Sequence, residues 1–109
     1  MTSKRKISLE EARQIAEKDA MANIGYFAQG RDHVLQDSYL EAENCWMFFA
    51  DEAIKIPPEA CLGIKWAYAV SKHGSFSMIQ DFSYDREKLL DYLQTMSDYF
   101  TRKEEPVNP

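Results

Sequence analysis

The residues of this chain with the most chemical potential are two histidines, His33 and His73, two cysteines, Cys45 and Cys61, and neighbouring carboxylates at Glu41 and Glu43 and at Asp51 and Glu52. Neither histidine belongs to a His-x-x-x-His or Cys-x-x-Cys spacing that directs a metal, so both read as solvated side chains, His33 at a strand edge and His73 in a turn. Nucleophilic catalysis requires a thiol or hydroxyl beside a base and an oxyanion donor. Cys45 lies within the apolar run Cys45-Trp46-Met47-Phe48-Phe49, where a thiol keeps a raised pKa and packs as a small hydrophobe. Cys61 follows a proline-containing loop and is the thiol more open to reaction. The carboxylate pairs have the residue types of a glycosidase, but they fall in connections without identifiable sugar-stacking partners and read as solvated or partner-facing acids. Gly25, Gly30, Gly63 and Gly74 are isolated, and no phosphate-binding glycine pattern passes through them. No catalytic residue, metal or cofactor is expected.

Charge narrows the partner classes. The 109 residues carry a formal −5, with Lys4, Arg5 and Lys6 clustered at the start, so the remainder is more acidic still. Between positions 32 and 59 lie seven acids (Asp32, Asp37, Glu41, Glu43, Asp51, Glu52 and Glu59) against the single base Lys55. Such a surface repels a phosphate backbone and favours a basic protein. Ser8 to Asp19 is too charged for the apolar core of a signal peptide, and no run reaches membrane-spanning length. A cytoplasmic location with reduced thiols is the expectation, with no membrane and no nucleic acid as partner. Hydrophobic residues at 45% and aromatics at 13% supply one core without disulfides.

The elements that must position these groups follow from periodicity. Ser8-Leu9-Glu10-Glu11 is a capping box, and Leu9, Ala12, Ile15, Ala16 and Ala20 form a helical stripe of small residues, predicting a helix from about Leu9 to Met21 stopped by Asn23 and Gly25. His33 to Ala42 reads as a strand with Leu35 and Tyr39 on one side and Val34, Leu40 and Ala42 on the other. A tight turn at Glu43-Asn44 leads to a strand over Cys45 to Ala50. Pro57-Pro58 makes 51–61 a connecting loop. A strand from Leu62 to Ser71, a hairpin turn at Lys72-His73-Gly74-Ser75 and a strand from Phe76 to Phe82 follow. A last helix is capped by Asp85, with Ser83 as the other candidate, and carries Leu89, Leu90, Leu93, Met96 and Phe100 at helical spacing. The order predicts a single α+β domain: a mainly antiparallel sheet of about four strands with an N-terminal and a C-terminal helix packed on it. Residues 1–7 form a basic tail, 8–103 the domain and 104–109 a frayed end.

Within that sheet, Trp46, Phe48 and Ala50 share one face of a strand and Cys45, Met47 and Phe49 the other, so both faces are apolar. Two arrangements fit: both faces covered by the helices and the 51–61 loop, or helices on one face with the other left to a ligand or partner.

The chain resembles the small bacterial proteins grouped as immunity protein 35, which guard cells against polymorphic toxins. The resemblance rests on Ser8-Leu9-Glu10-Glu11-Ala12, Trp46-Met47-Phe48-Phe49, Ala67-Tyr68-Ala69-Val70, the Lys72-His73-Gly74 turn and Tyr92-Leu93. Pro57-Pro58 and the segment 75–81 depart from that pattern. The resemblance implies a non-catalytic module that binds and neutralises a cognate toxin, and the acidic charge suits a basic one. Glu41, Glu43, Asp51, Glu52 and Glu59 are the expected partner-facing acids, and Trp46 and Trp66 are aromatic anchors only if exposed. The alternatives are a small-molecule or enzymatic pocket between sheet and first helix, lined by Trp66, Tyr68 and Phe76, and a homodimer that buries an apolar strand face.

Overall fold

The computed structural model describes residues 6–57, 59 and 65–104. Helix α1 spans Leu9–Ile24 and opens as expected: the Glu11 amide donates to Ser8 Oγ at 3.1 Å, and the Ser8 amide donates back to Glu11 Oε1 at 3.0 Å. Its buried residues Ala12, Ala16, Ala20 and Ile24 recur at four, and their small side chains let the helix lie close to the sheet. The helix runs three residues beyond the expected Met21, because Gly25 takes a right-handed helical conformation and leads into a 3-10 turn at Gly25–Ala28. The reversal falls instead at Gly30, whose φ of 85° favours glycine.

Four strands, β1 (Leu35–Glu41), β2 (Cys45–Ala50), β3 (Trp66–Ser71) and β4 (Phe76–Gln80), form an antiparallel sheet in the order of the chain. The fold is therefore the expected α+β domain, a four-stranded antiparallel sheet with one helix at each end of the sequence. The expected residues Leu62–Ile64 of the third strand lie outside the described residues, as do Pro58 and Cys61. The β1–β2 connection is the anticipated two-residue turn at Glu43-Asn44, closed by the Ala42 amide donating to the Cys45 carbonyl at 2.8 Å. The β3–β4 turn is a type I turn with a glycine bulge: Gly74 N donates to Ser71 O, Ser71 N donates to Ser75 O, and Gly74 has φ 97°.

Strand β1 is not regular. Leu35 faces Ala50 and Tyr39 faces Phe48, so four residue steps on β1 oppose two on β2, a bulge at Gln36 to Ser38. Arg13 of α1 supports it, donating to the Gln36 carbonyl at 3.0 Å and the Asp37 carbonyl at 2.9 Å, with its guanidinium 5.1 Å from the Phe48 ring centroid. One turn on, Glu17 Oε1 accepts the Val34 amide at 2.7 Å. Val34 precedes the strand and packs in the same cluster as Leu35, not on the opposite side as simple alternation suggests.

The two helices take opposite faces of the sheet. Trp46, Phe48, Tyr68 and Val70 pack with the alanines of α1. Cys45, Met47, Phe49, Ala67, Ala69 and Ile79 pack with Leu89, Leu93, Met96 and Phe100 of helix α2, Arg86–Glu104. Of the two arrangements the sequence allows, covered faces hold, and the alternative of one sheet face left to a ligand or partner is corrected. Asp85 caps α2, its Oδ1 accepting the Lys88 amide at 3.2 Å. The far end of α2 is pinned to both turns: Ser97 Oγ accepts the Asn44 amide at 2.9 Å, and Glu104 Oε2 accepts the hydroxyls of Ser71 (2.5 Å) and Ser75 (2.6 Å). Glu104 thus closes the helix instead of opening a tail.

Removing the Arg13 clamp leaves two bulge carbonyls to water alone. Arg13→Ala is expected to cost about 1–2 kcal/mol, read as a lower urea midpoint at unchanged slope. Arg13→Lys should recover only part of it, since an ammonium cannot bridge two carbonyls as a planar fork does.

Candidate functional site

At the edge of the α1 cluster, where β2 ends and β3 begins, the described residues leave the covering incomplete. A cavity of about 320 Å³ opens there between the end of α1, the 3-10 turn and the segment after β2. Ile24, Phe27, Ala50, Ile54, Ile56 and Trp66 are its apolar lining, and its polar groups are Asn23, Tyr68, Asp51, Glu52, Lys55 and Lys65. The size is at the lower end of small-ligand sites. Tyr68 has no exposed surface, and its hydroxyl accepts a hydrogen bond from Asn23 Nδ2 at 3.0 Å. Burial raises the Tyr68 phenol above its ordinary value, opposed by the Asn23 bond and reinforced by the Asp19 carboxylate. The expected pocket lining thus holds for Trp66 and Tyr68, but Phe76 is not part of the wall.

The five candidate acids divide between the two ends of β2, about 20 Å apart at the rise of a strand. Glu41 and Glu43 lie at the β1–β2 turn, and Asp51, Glu52 and Glu59 in the connection that follows β2. They do not form one patch. Glu41 is engaged by Lys72 Nζ at 2.5 Å, and that ammonium also sits 4.5 Å from the Trp46 ring centroid. Asp51 pairs with Arg31 at 2.5 Å and also accepts the Ala53 amide at 2.9 Å, fixing the start of the connection. Glu43, Glu52 and Glu59 are exposed and have no ion-pair partner among the described residues. Trp46 is buried at 6% exposure, so it fails the condition for an anchor and belongs to the core, whereas Trp66 is half-buried at the cavity.

The remaining chemistry is limited. His33 is exposed, with Nδ1 3.5 Å from Glu17 Oε2. Among the described residues no group of three or more His, Cys, Asp and Glu side chains is placed to hold a metal ion. Cys45 has no exposed surface, and burial pushes its thiol up to about 12, with the Lys72 charge pulling weakly the other way. Sequence reasoning passed over Arg13, Asn23, Lys65 and Glu104. The first two were legible in part, as polar residues bordering an alanine stripe that must face a sheet; Glu104 gave no local signal, because its serine partners lie 29 and 33 residues away.

The chain matches no protein-family model, no curated protein sequence and no solved structure. No described helix is long and apolar enough to cross a membrane.

The buried thiol couples stability to pH. Its folded value lies above the ordinary 9.0, so the folded state holds the proton more tightly; this contribution is intact below pH 9 and is lost as pH rises towards 12. Between pH 9 and 10 stability should fall by up to about 1.4 kcal/mol per pH unit relative to Cys45→Ala, which keeps Tyr68 and so cancels the phenol's part of the loss. Urea titrations of the two proteins at each pH test this, and parallel profiles contradict it.

Proposed function

We propose that this chain is a non-catalytic protein-binding module that captures a basic partner, and that the partner is a toxin it neutralises, as its resemblance to immunity protein 35 implies. The observation that supports this reading is the state of the acids. Glu41 and Asp51 are occupied by internal cations, whereas Glu43, Glu52 and Glu59 are exposed and have no ion-pair partner among the described residues, on a chain of net −5. Exposed, unpaired charge of one sign steers a partner of the other sign and speeds encounter more than it tightens the final complex. Two of the three, Glu52 and Glu59, belong to the connection beside the cavity, which makes that end of the sheet the better contact. The exposed Tyr26, on the 3-10 turn whose Phe27 lines the same cavity, adds a rigid amphipathic side chain of the kind enriched in interfaces.

A second reading rests on the cavity itself, whose apolar wall and Asn23–Tyr68 pair suit a small, mostly apolar ligand with one hydrogen-bonding group. Binding of an apolar dye that is lost in Trp66→Ala, with no protein captured, would carry this reading in place of the first.

The discriminating experiment is affinity capture from a lysate of the source cell by immobilised wild-type protein and by the double variant Glu52→Lys, Glu59→Lys. The expected result is a basic protein retained stoichiometrically by the wild type at low salt. The double variant should capture it at a rate lower by roughly tenfold or more, with its own unfolding midpoint unchanged. Equal capture by both proteins removes the acidic connection from the interface.

A further inference from the structure

The two edges of the sheet are treated differently. β1 is protected by its bulge, by the charges of Asp37 and Glu41, and by Arg13, which occupies two of its carbonyls. β4, Phe76-Ser77-Met78-Ile79-Gln80, has no charge, proline or register shift, although those are the devices that ordinarily keep an edge from pairing. Both helices pack principally over β2 and β3, so neither lies along β4.

The hydrogen-bond alternation identifies which β4 groups face outward. Ser71 N donates to Ser75 O at 2.8 Å and Asp81 N to Lys65 O at 2.9 Å, so these bracketing pairs are of the hydrogen-bonded kind. Alternation then makes Ala69–Ser77 and Ala67–Ile79 hydrogen-bonded pairs, and Val70–Phe76, Tyr68–Met78 and Trp66–Gln80 the intervening ones. The backbone N–H and C=O groups of Phe76, Met78 and Gln80 therefore point away from β3, and among the described residues they have no backbone partner. The Met78 side chain is 43% exposed beside them.

We propose that β4 is a dimerisation edge, to which a second copy of this chain adds its own β4 in antiparallel register about a two-fold axis at Met78. The strand fits itself. Met78, the middle of its five residues, is an outward-facing one, so Met78 pairs with Met78 of the second copy and Phe76 with Gln80 in both directions. Every outward donor and acceptor of both copies is then satisfied, and the two sheets continue as one of eight strands. An uncharged ladder also lets two acidic chains meet without opposing carboxylates, which the β1 edge would not. The side chains of Phe76, Met78 and Gln80 share the α1 face with Val70, Tyr68 and Trp66, so the pairing covers Met78 with its own copy. A five-residue ladder is small beside a standard interface, which makes the dimer concentration-dependent. The two copies' net negative charge makes it stronger at higher salt. This differs from a dimer through an apolar strand face, since both faces are covered by helices within one chain.

Sedimentation equilibrium of the full chain over about 10 µM to 1 mM, spanning a weak interface, tests the proposal. The wild type should pass from monomer towards dimer mass, at lower concentration in high salt. Met78→Pro removes the outward N–H without touching a bond to β3 and should remain monomeric with an unchanged far-ultraviolet dichroism spectrum. Met78→Lys sets two like charges at the axis and should weaken association at least tenfold, with partial relief by salt; it decides the matter if the proline variant does not fold. A wild type that stays monomeric throughout overturns the proposal, and protected Phe76, Met78 and Gln80 amides in that monomer would assign the edge to another segment of the same chain. A dimer that survives both folded variants overturns it by placing the contact elsewhere.

Discussion

Five consecutive residues, Cys45 to Phe49, are buried on both sides of one strand, and the rest of the molecule follows from covering them. A strand apolar on both faces is stable only at the centre of a sheet with a layer on each side. Antiparallel neighbours β1 and β3 satisfy its backbone, and the two helices divide its side chains. The division is unequal. On the α1 side the bulk comes from the sheet, as Trp46, Phe48 and Tyr68, and the helix contributes alanines. On the α2 side β3 contributes Ala67 and Ala69, and the helix supplies Leu89, Leu93, Met96 and Phe100. The small residues therefore lie on the helix in one core and on β3 in the other, where Met47, Phe49 and Ile79 of the neighbouring strands add bulk from the sheet.

Helix α1 does more than cover. Arg13, Glu17 and Asn23 flank its alanine stripe and reach the bulge of β1, the start of that strand and the hydroxyl of Tyr68. The same helix that seals the core therefore sets the path of the edge strand and one wall of the cavity. Among the described residues the covering ends where α1 gives way to the 3-10 turn, and the cavity there is lined by the half-buried Trp66 and by Glu52 of the connection that follows β2.

Much of the fold is legible in the sequence because its signals are local. The capping box at Ser8, the two-residue turn at Glu43-Asn44, the apolar run of β2, the glycine turn at Gly74 and the cap at Asp85 each depend on neighbours within a few positions, and each is where periodicity and turn chemistry put it. What misled was also local. Asn23 and Gly25 look like a helix stop, but Gly25 remains right-handed because the chain continues into another helical turn. The β1 bulge leaves no mark in the sequence, since it is held by an arginine more than 20 residues away. The candidate acids were found as residues, but not their division between two ends of the sheet or the internal pairing of Glu41 and Asp51, which depend on the hairpin register and on Lys72 and Arg31. Residue type alone cannot separate an acid already neutralised within the fold from one left for a partner.

Among the described residues both faces of the sheet are closed, Phe48 on the α1 side and Met47 on the α2 side. Amide hydrogen exchange of Met47 and Phe48 on β2, followed as a function of low urea concentrations, tests that closure most directly. A strand covered on both sides should exchange only through global unfolding, with an opening free energy equal to the stability from urea denaturation and the same dependence on urea. Exchange of either amide through a smaller opening that urea does not alter would mean that a face of the sheet uncovers in the native state.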